Sequence, residues 1–165
     1  MKVRRQIEIE EMTHEDIVDF LSTALCGNPS IGVEEIRYDG DTENDPDGDR
    51  CYEDRLADAL LNGGTVVFYD NDSDGEVYGT RGQAIKGDDF DMTVYPTTLE
   101  DIKRGIENAF SGNFKCWDPD GSFYKEAKEY VMNCAVDLID DPCMLDFDEA
   151  NTLLQIILFN EVVYG

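Results

Sequence analysis

Residues 39–49 carry an acidic side chain at every second position. These residues are Asp39, Asp41, Glu43, Asp45, Asp47 and Asp49, and the first basic residue after them is Arg50. The glycines and the proline between them predict a loop rather than a helix. Where such a chain is extended, side chains two positions apart point the same way, about 6.6 Å from one another. The sequence therefore predicts an acidic loop over residues 39–50 with regularly spaced negative charge.

The whole chain carries the same sign of charge as this loop. It has 38 acidic residues against 13 lysines and arginines, a net charge of -25 and a sequence pI near 4.1. A field of this sign repels DNA, RNA and anionic membranes, and it attracts a protein that has a basic groove. Because a nucleic-acid strand presents its phosphates in a similar row, the acidic loop indicates a partner that normally binds nucleic acid.

Carboxylates also occur on the outer sides of the predicted helices. They are Glu15, Asp16, Asp19, Glu53, Asp54, Asp58, Glu100, Asp101, Glu107, Asp140, Asp141 and Asp148. Glu53 and Asp54 follow the acidic loop and complete its candidate partner-binding set. A charge run taken alone is usually a solvated loop that keeps a protein soluble, and this alternative stays open for residues 39–50. A shell of like charge destabilises a small domain, so its extent favours a binding function.

The length and composition predict one folded acidic domain over residues 1–165. A hydrophobic content of 41% is enough for a core. No apolar stretch approaches the length of a membrane span, and no charged leader precedes an apolar run. The five cysteines are scattered and never spaced as Cys-x-x-Cys, which indicates neither a disulfide framework nor a zinc site. We therefore expect a cytoplasmic protein.

Apolar residues at helical spacing predict about five helices. These helices begin at Thr13, near Cys51, at Thr97 or Thr98, near Phe123 and at Asp146. Glycines end the first three, and the fourth ends before Pro142. Residues 3–10, 31–36, 65–69 and 162–164 are predicted strands, and a return strand is predicted between residues 76 and 95. Helices and strands do not alternate strictly, so we expect an α+β domain with a small, mostly antiparallel sheet.

Residues 70–75, with the sequence Asp-Asn-Asp-Ser-Asp-Gly, match the first half of an EF-hand calcium loop. Oxygen ligands at alternate positions suit Ca²⁺, so Asp70, Asp72 and Asp74 are the candidate metal ligands. The glutamate expected at the twelfth position is replaced by Arg81, and the preceding element is a predicted strand, which excludes a true EF-hand. An acidic hairpin turn and a simpler calcium site are the two interpretations. No other cofactor is predicted.

Signals for catalysis are weak. The single histidine, His14, lies at the start of the first predicted helix without a Cys or Ser partner in a recognisable motif. No phosphate-binding loop of the Walker type occurs, and Gly79, Gly82 and Gly87 are too irregularly spaced for a dinucleotide fingerprint. With 38 acidic side chains a carboxylate pair arises by chance almost anywhere. The sequence therefore predicts a protein that is not an enzyme.

Four segments resemble small acidic proteins of phages and mobile elements in Gram-positive bacteria. They are residues 12–17 (MTHEDI), 61–65 (LNGGT), 98–102 (TLEDI) and 155–165 (QIILFNEVVYG). These segments contain capping, strand and core residues, so no catalytic residue carries over. In charge and size the chain is also similar to phage-borne anti-restriction and anti-CRISPR proteins, several of which are DNA mimics. The resemblance implies action in the cytoplasm of a bacterial host cell.

The leading hypothesis is a non-enzymatic inhibitor, an anti-CRISPR that acts on Cas9 by occupying its basic DNA- or RNA-binding channel. Its acidic surface would compete with nucleic acid through protein–protein interaction. One alternative is a calcium-binding or protein-interaction module that uses residues 70–75. Another alternative is an immunity protein against a basic nuclease toxin, which relies on the same physics with a different partner.

Overall fold

A computed structural model of the chain describes residues 9–39, 51–89, 91–116 and 124–164, excluding the side chains of residues 124–126. Five helices and six strands lie within these ranges. The helices are α1 (His14–Leu25), α2 (Tyr52–Leu61), α3 (Leu99–Ser111), α4 (Tyr124–Asp140) and α5 (Phe147–Phe159). The strands are β1 (Ile31–Arg37), β2 (Thr65–Asp70), β3 (Gln83–Ile85), β4 (Met92–Thr97), β5 (Lys115–Cys116) and β6 (Glu161–Val162). A short 3-10 helix, Pro142–Met144, connects α4 to α5.

The main sheet is antiparallel and has the strand order β1-β2-β4-β3. The predicted return strand is thus two strands, of which β4 is central and β3 forms an edge. β5 and β6 form a separate parallel pair, with Lys115 opposite Glu161. The predicted α+β class, with a mostly antiparallel sheet and five helices, is confirmed.

The prediction of a strand over residues 3–10 is wrong at its C-terminal end. Ile9 and Glu10 are helical, and residues 3–8 lie outside the described part of the chain. Ile9 and Met12, three positions apart, are both buried, and the N–H of Met12 donates to the carbonyl of Ile9. Burial of this pair at helical spacing outweighs the alternating pattern that predicted a strand. The last strand, β6, begins one residue earlier than predicted.

Helix α5 lies at the centre of the fold. Residues 152–159 are buried on all sides, and the helix packs against α1, α3 and α4. Gly105 of α3 permits close packing, since a Cβ built there would lie 2.6 Å from the Cα of Ile157. Val66, Phe68 and other inward-facing residues of the sheet complete the same hydrophobic core. No helix in the described ranges has both the length and the apolar character needed to cross a membrane.

Candidate acidic binding surface

In the described ranges, four helices carry two acidic residues each in their first turn. The pairs are Glu15 and Asp16 in α1, Glu53 and Asp54 in α2, Glu100 and Asp101 in α3, and Asp148 and Glu149 in α5. The second member of each pair accepts a hydrogen bond of 2.9–3.1 Å from the backbone N–H of the residue before the helix. These carboxylates satisfy otherwise unpaired N–H groups and interact favourably with the helix dipole. Fold stability therefore explains this share of the acidic charge.

The predicted partner-binding set is partly described by the structure. Asp39 is exposed and lies two residues after β1. Glu53 and Asp54 lie together in the first turn of α2, where Asp54 also approaches His14 Nε2 at 3.7 Å. The other members of the set fall outside the described residues; they are Asp41, Glu43, Asp45, Asp47 and Asp49. Asp54 thus has a structural role in addition to its predicted binding role.

Most basic side chains in the described ranges already have intramolecular partners. Arg81 lies 3.1 Å from Asp101 and donates to the backbone carbonyls of Pro96 and Ile157. Lys128 donates to the carbonyl of Gly112 at 2.9 Å, at the C-terminal end of α3. Further ion pairs are Arg37–Glu35, Lys103–Glu100 and Arg104–Asp101. These cations serve the fold and neutralise a small part of the negative charge.

The chain contains no basic residue after Lys128. The carboxylates that follow are Glu129, Asp137, Asp140, Asp141, Asp146, Asp148, Glu149 and Glu161. Within the described ranges, none of these carboxylates forms an ion pair. Asp137 and Asp140 lie at the C-terminal end of α4, where the helix dipole disfavours negative charge, and Asp141 follows as the cap of the 3-10 helix. Asp137 is the one of these three that the sequence analysis did not predict as a surface carboxylate. The lack of Lys, Arg and His after residue 128 could have indicated that acidic residues there have no nearby cation in sequence.

Glu149 interacts with two other acidic side chains of this set, Asp137 and Asp146. Partial burial raises the pKa of its carboxyl group, the hydrogen bond from the N–H of Asp146 acts in the opposite direction, and the neighbouring carboxyl groups of Asp137 and Asp146 raise the pKa further. The charged form of Glu149 is therefore destabilised in the folded protein.

The candidate calcium ligands are engaged within the protein. Asp70 is fully buried, and its two oxygens accept from the hydroxyl of Tyr164 at 3.0 and 2.8 Å. Asp72 accepts from the hydroxyl of Ser30 at 2.5 Å, and both Asp72 and Asp74 are exposed, Asp74 with a φ of 52°. In the part of the chain that the structure describes, no three His, Cys, Asp or Glu side chains are arranged to hold a metal ion. Residues 70–75 form a turn that ties β2 to distant segments.

Burial also determines the electrostatics of Asp70. It raises the pKa of this carboxyl group, while hydrogen bonds from the Tyr164 hydroxyl and the Asp72 N–H act in the opposite direction. The oxygen Oδ1 of neighbouring Asn71 is buried and has no hydrogen-bond partner among the described residues. In this turn Asp70 and Asp72 accept hydrogen bonds from distant segments and so help to hold the fold together.

Three thiols have pKa values shifted away from those of a nucleophile. Burial raises the pKa of Cys134 to about 12 and also raises that of Cys116. A side-chain hydrogen bond to Asp54 is the main cause of the raised pKa of Cys51. Catalytic cysteines have lowered pKa values, because the thiolate is the reactive form. These three side chains therefore lack the activation that nucleophilic catalysis needs.

The chain matches no family model, no curated protein and no solved structure.

Proposed function

We propose that this protein is a non-enzymatic inhibitor that binds a basic nucleic-acid-binding protein of a bacterial defence system, with Cas9 as the first partner to test. The observation that carries the proposal is unbalanced charge. The net charge is -25, and most cations in the described ranges are already held by intramolecular partners. First-turn carboxylates stabilise helices, but those at the C-terminal end of α4 oppose the helix dipole. A basic partner supplies the missing counter-charge.

The inhibition would be competitive and would need no chemical step. A nucleic-acid channel binds phosphates through lysine and arginine, and neutralising this charge releases counterions into solution. An acidic protein surface in the channel exploits the same effect, so inhibitor and nucleic acid exclude one another. Because the attraction between the two charged surfaces is screened by salt, binding should weaken steeply as ionic strength rises.

The direct test is Cas9 cleavage of a matched DNA target with the protein titrated in. The protein is added either before or after the guide RNA, and each series is run at low and at moderate salt. Inhibition that weakens with salt supports the proposal, and the order of addition identifies the nucleic acid that is displaced. Full cleavage at a large molar excess of protein would remove Cas9 as the partner and direct the same assay to basic toxin nucleases.

Charge position is tested by a quadruple variant. Replacing Asp41, Glu43, Asp45 and Asp47 together by Asn or Gln should abolish inhibition, because the regular acidic row is the predicted mimic of phosphates. The matched control makes the same change of net charge at four exposed carboxylates elsewhere; they are Glu10, Glu11, Asp88 and Asp89. Undiminished inhibition by the first variant, with circular dichroism showing both variants folded, would contradict mimicry by residues 39–50.

A further inference from the structure

Strand β3 is an edge of the main sheet, and its outer side is open to pairing. The strand order β1-β2-β4-β3 gives β3 one neighbour, β4, and no other strand in the described part of the chain pairs with it. All three residues of β3 are exposed. The outward-facing N–H and C=O groups of an edge strand are a template for a further strand. An extended segment of another protein can therefore continue the sheet at β3.

The opposite edge of the sheet, β1, offers a less regular template. The register of β1 shifts between Val33 and Glu35, and such a bulge disrupts the row of backbone groups. Helix α2 also packs against β1. The register of β3 against β4, in contrast, is continuous. Of the two edges, β3 is thus the one at which regular pairing can continue.

Local contacts fix the start of β3. Arg81, two residues before the strand, donates to the carbonyls of Pro96 and Ile157 at 2.8 and 2.7 Å. A Cβ built at Gly82 would lie 2.5 Å from the ring of Tyr95, so the backbone here lies directly against a buried side chain. The edge is therefore ordered before a partner binds, which lowers the entropy cost of binding.

Ile85 supplies an apolar contact on this edge. Its side chain is 44% exposed, and it lies opposite Met92 of β4, so the two residues share one face of the sheet. Gln83, two positions earlier, lies on the same face. A strand added beside β3 would place one of its own side chains next to Ile85. Cross-strand apolar pairs stabilise a sheet, so a β-branched residue suits this position.

Acidic residues lie beside β3. They are Asp74, Glu76 and Asp91. The carbonyl of Glu76 accepts from the hydroxyl of Thr93 at 3.1 Å, and Thr93 lies opposite Ala84 of β3. Asp91 directly precedes β4, and its Cβ would lie 3.1 Å from a Cβ built at Gly75. The turn that carries Asp74 and Glu76 therefore lies beside the β3–β4 pair, and its charge is negative.

We propose that the outer edge of β3 binds an extended basic segment of a partner protein as an additional strand, in which lysine or arginine alternates with β-branched residues. Backbone hydrogen bonds to β3 would hold the segment, and one β-branched side chain would contact Ile85. Its basic side chains would lie in the negative field of a chain whose net charge is -25. The inference goes beyond the proposed function, because it assigns a contact surface outside residues 39–50.

Charge argues against a second copy of this chain as the occupant. Pairing of two β3 strands would bring the carboxylates of two molecules together, each with a net charge of -25. Lys86, directly after β3, is typical of edges that avoid such self-pairing. Nucleic acid would add phosphates to the same field, and it has no peptide groups with which to continue the sheet. A basic segment of another protein suits both the backbone and the charge of this edge.

The first experiment uses the full chain labelled with nitrogen-15. The probe is a capped six-residue peptide of alternating lysine and valine, and the matched probe is methylated at its two central amide nitrogens. Both peptides have the same side chains and charge, so non-specific attraction to the acidic surface is equal for the two. The unmethylated peptide should shift the amide signals of residues 83–85 and slow hydrogen exchange of the outward-facing amides there. No change at residues 83–85, or equal binding of both peptides, would overturn the proposal.

The second experiment tests the apolar contact. Ile85→Lys should weaken binding of the unmethylated peptide about tenfold, because it replaces an apolar contact by a like charge. Leu61→Lys is the matched control, because Leu61 is 37% exposed on α2, which packs against β1 and β2, and this variant should bind almost as the wild type does. Equal affinities of Ile85→Lys and Leu61→Lys would count against a contact at β3.

Removing the basic residue at the end of β3 should have the opposite effect. Lys86 is the only basic residue from residue 82 to residue 97. Lys86→Gln should strengthen binding of the unmethylated peptide about twofold, because it removes the repulsion of an exposed like charge. The variant leaves Ile85 in place. Weaker binding by Lys86→Gln than by the wild type would contradict a basic occupant.

This inference and the proposed function fail in different ways. If the protein inhibits Cas9 but the unmethylated peptide leaves residues 83–85 unchanged, the docking edge is wrong, although the proposed function stands. If the peptide binds at β3 while Cas9 is not inhibited, the docking edge stands and Cas9 is removed as the target.

Discussion

At the scale of single residues, Asp70 stands out among the described carboxylates because it is fully buried. It ends β2 without any exposed surface, and the Tyr164 hydroxyl is within hydrogen-bond distance of both its oxygens. Burying a charged group without hydrogen bonds is strongly unfavourable, so Tyr164 makes this location tolerable. Gln155, fully buried on α5, accepts from the N–H groups of Val163 and Tyr164 and fixes the segment that carries the hydroxyl.

Replacing Tyr164 by Phe should lower the free energy of unfolding by about 1–3 kcal/mol. Asp70 would lose a donor, whereas the ring could keep its edge contacts with Tyr78 and Phe159. Urea denaturation at neutral pH measures the change. Tyr52→Phe is the control, because Tyr52 is 40% exposed, and its effect should stay within about 0.5 kcal/mol. Equal stability of Tyr164→Phe and wild type would show that Asp70 does not depend on this hydroxyl.

The role of Asp70 could not be predicted from the sequence. Its neighbours Asp72, Asp74 and Gly75 form a pattern typical of turns and calcium loops, and that local pattern led to the metal hypothesis. The hydrogen-bond partner Tyr164 is 94 positions away. A pair so distant in sequence is set by tertiary packing, and periodicity contains no information about it.

At the scale of elements, helix starts could be predicted and strand order could not. Thr13 with Asp16 is a capping pair three positions apart, and the structure confirms this cap as well as those at Thr98 and Asp146. Such signals are local in sequence. β3, in contrast, has three exposed residues without alternation, and its place at the sheet edge depends on pairing with β4. No local pattern marks such a strand.

Gly105→Ala should destabilise the protein, although alanine is the better helix former. The added methyl group would lie 2.6 Å from the Cα of Ile157, so α3 and α5 would have to separate. Overpacking of this kind costs about 1–3 kcal/mol, and thermal denaturation should show a lower midpoint. Ser111→Ala at the exposed end of α3 is the matched control and should change the midpoint little. A higher midpoint for Gly105→Ala would contradict the close packing of the two helices.

At the scale of the whole molecule, the sequence predicted the sign of the surface but not its distribution. The count of charges predicts that the chain repels nucleic acid and anionic lipid. The counts could not separate first-turn carboxylates, which stabilise helices, from those such as Asp137 and Asp140 at the C-terminal end of α4. That distinction depends on where each helix begins and ends.

Lowering the pH from about 7 to about 5 should increase the free energy of unfolding. Asp70 and Glu149 have raised pKa values in the folded protein, mainly because of burial. A carboxyl group with a higher pKa in the folded state stabilises the fold at low pH, and this contribution is lost as the pH rises through the folded-state pKa. Protonation also weakens repulsion within a molecule of net charge -25.

Urea denaturation across this pH range measures the effect. The denaturation midpoint of the wild type should rise as the pH falls, and Glu149→Gln, which cannot titrate at this position, should show a smaller rise. Added salt at neutral pH is the control for general charge repulsion, because it screens exposed charges without protonating them. A wild-type midpoint that falls steadily from neutral pH to about pH 5 would contradict this electrostatic account.

The central position of α5 has a consequence for synthesis on the ribosome. Helices α1, α3 and α4 all pack on α5, so the hydrophobic core cannot close until residue 159 has been made. Strand β5 likewise has no strand partner until β6 has been made, because β6 follows α5 in the sequence. Until then, the growing chain has only the contacts among its earlier elements, such as those between α1 and α2 and between α3 and α4. Its repeated negative charges keep neighbouring nascent chains apart during this interval, and the same charges later form the surface of the folded protein.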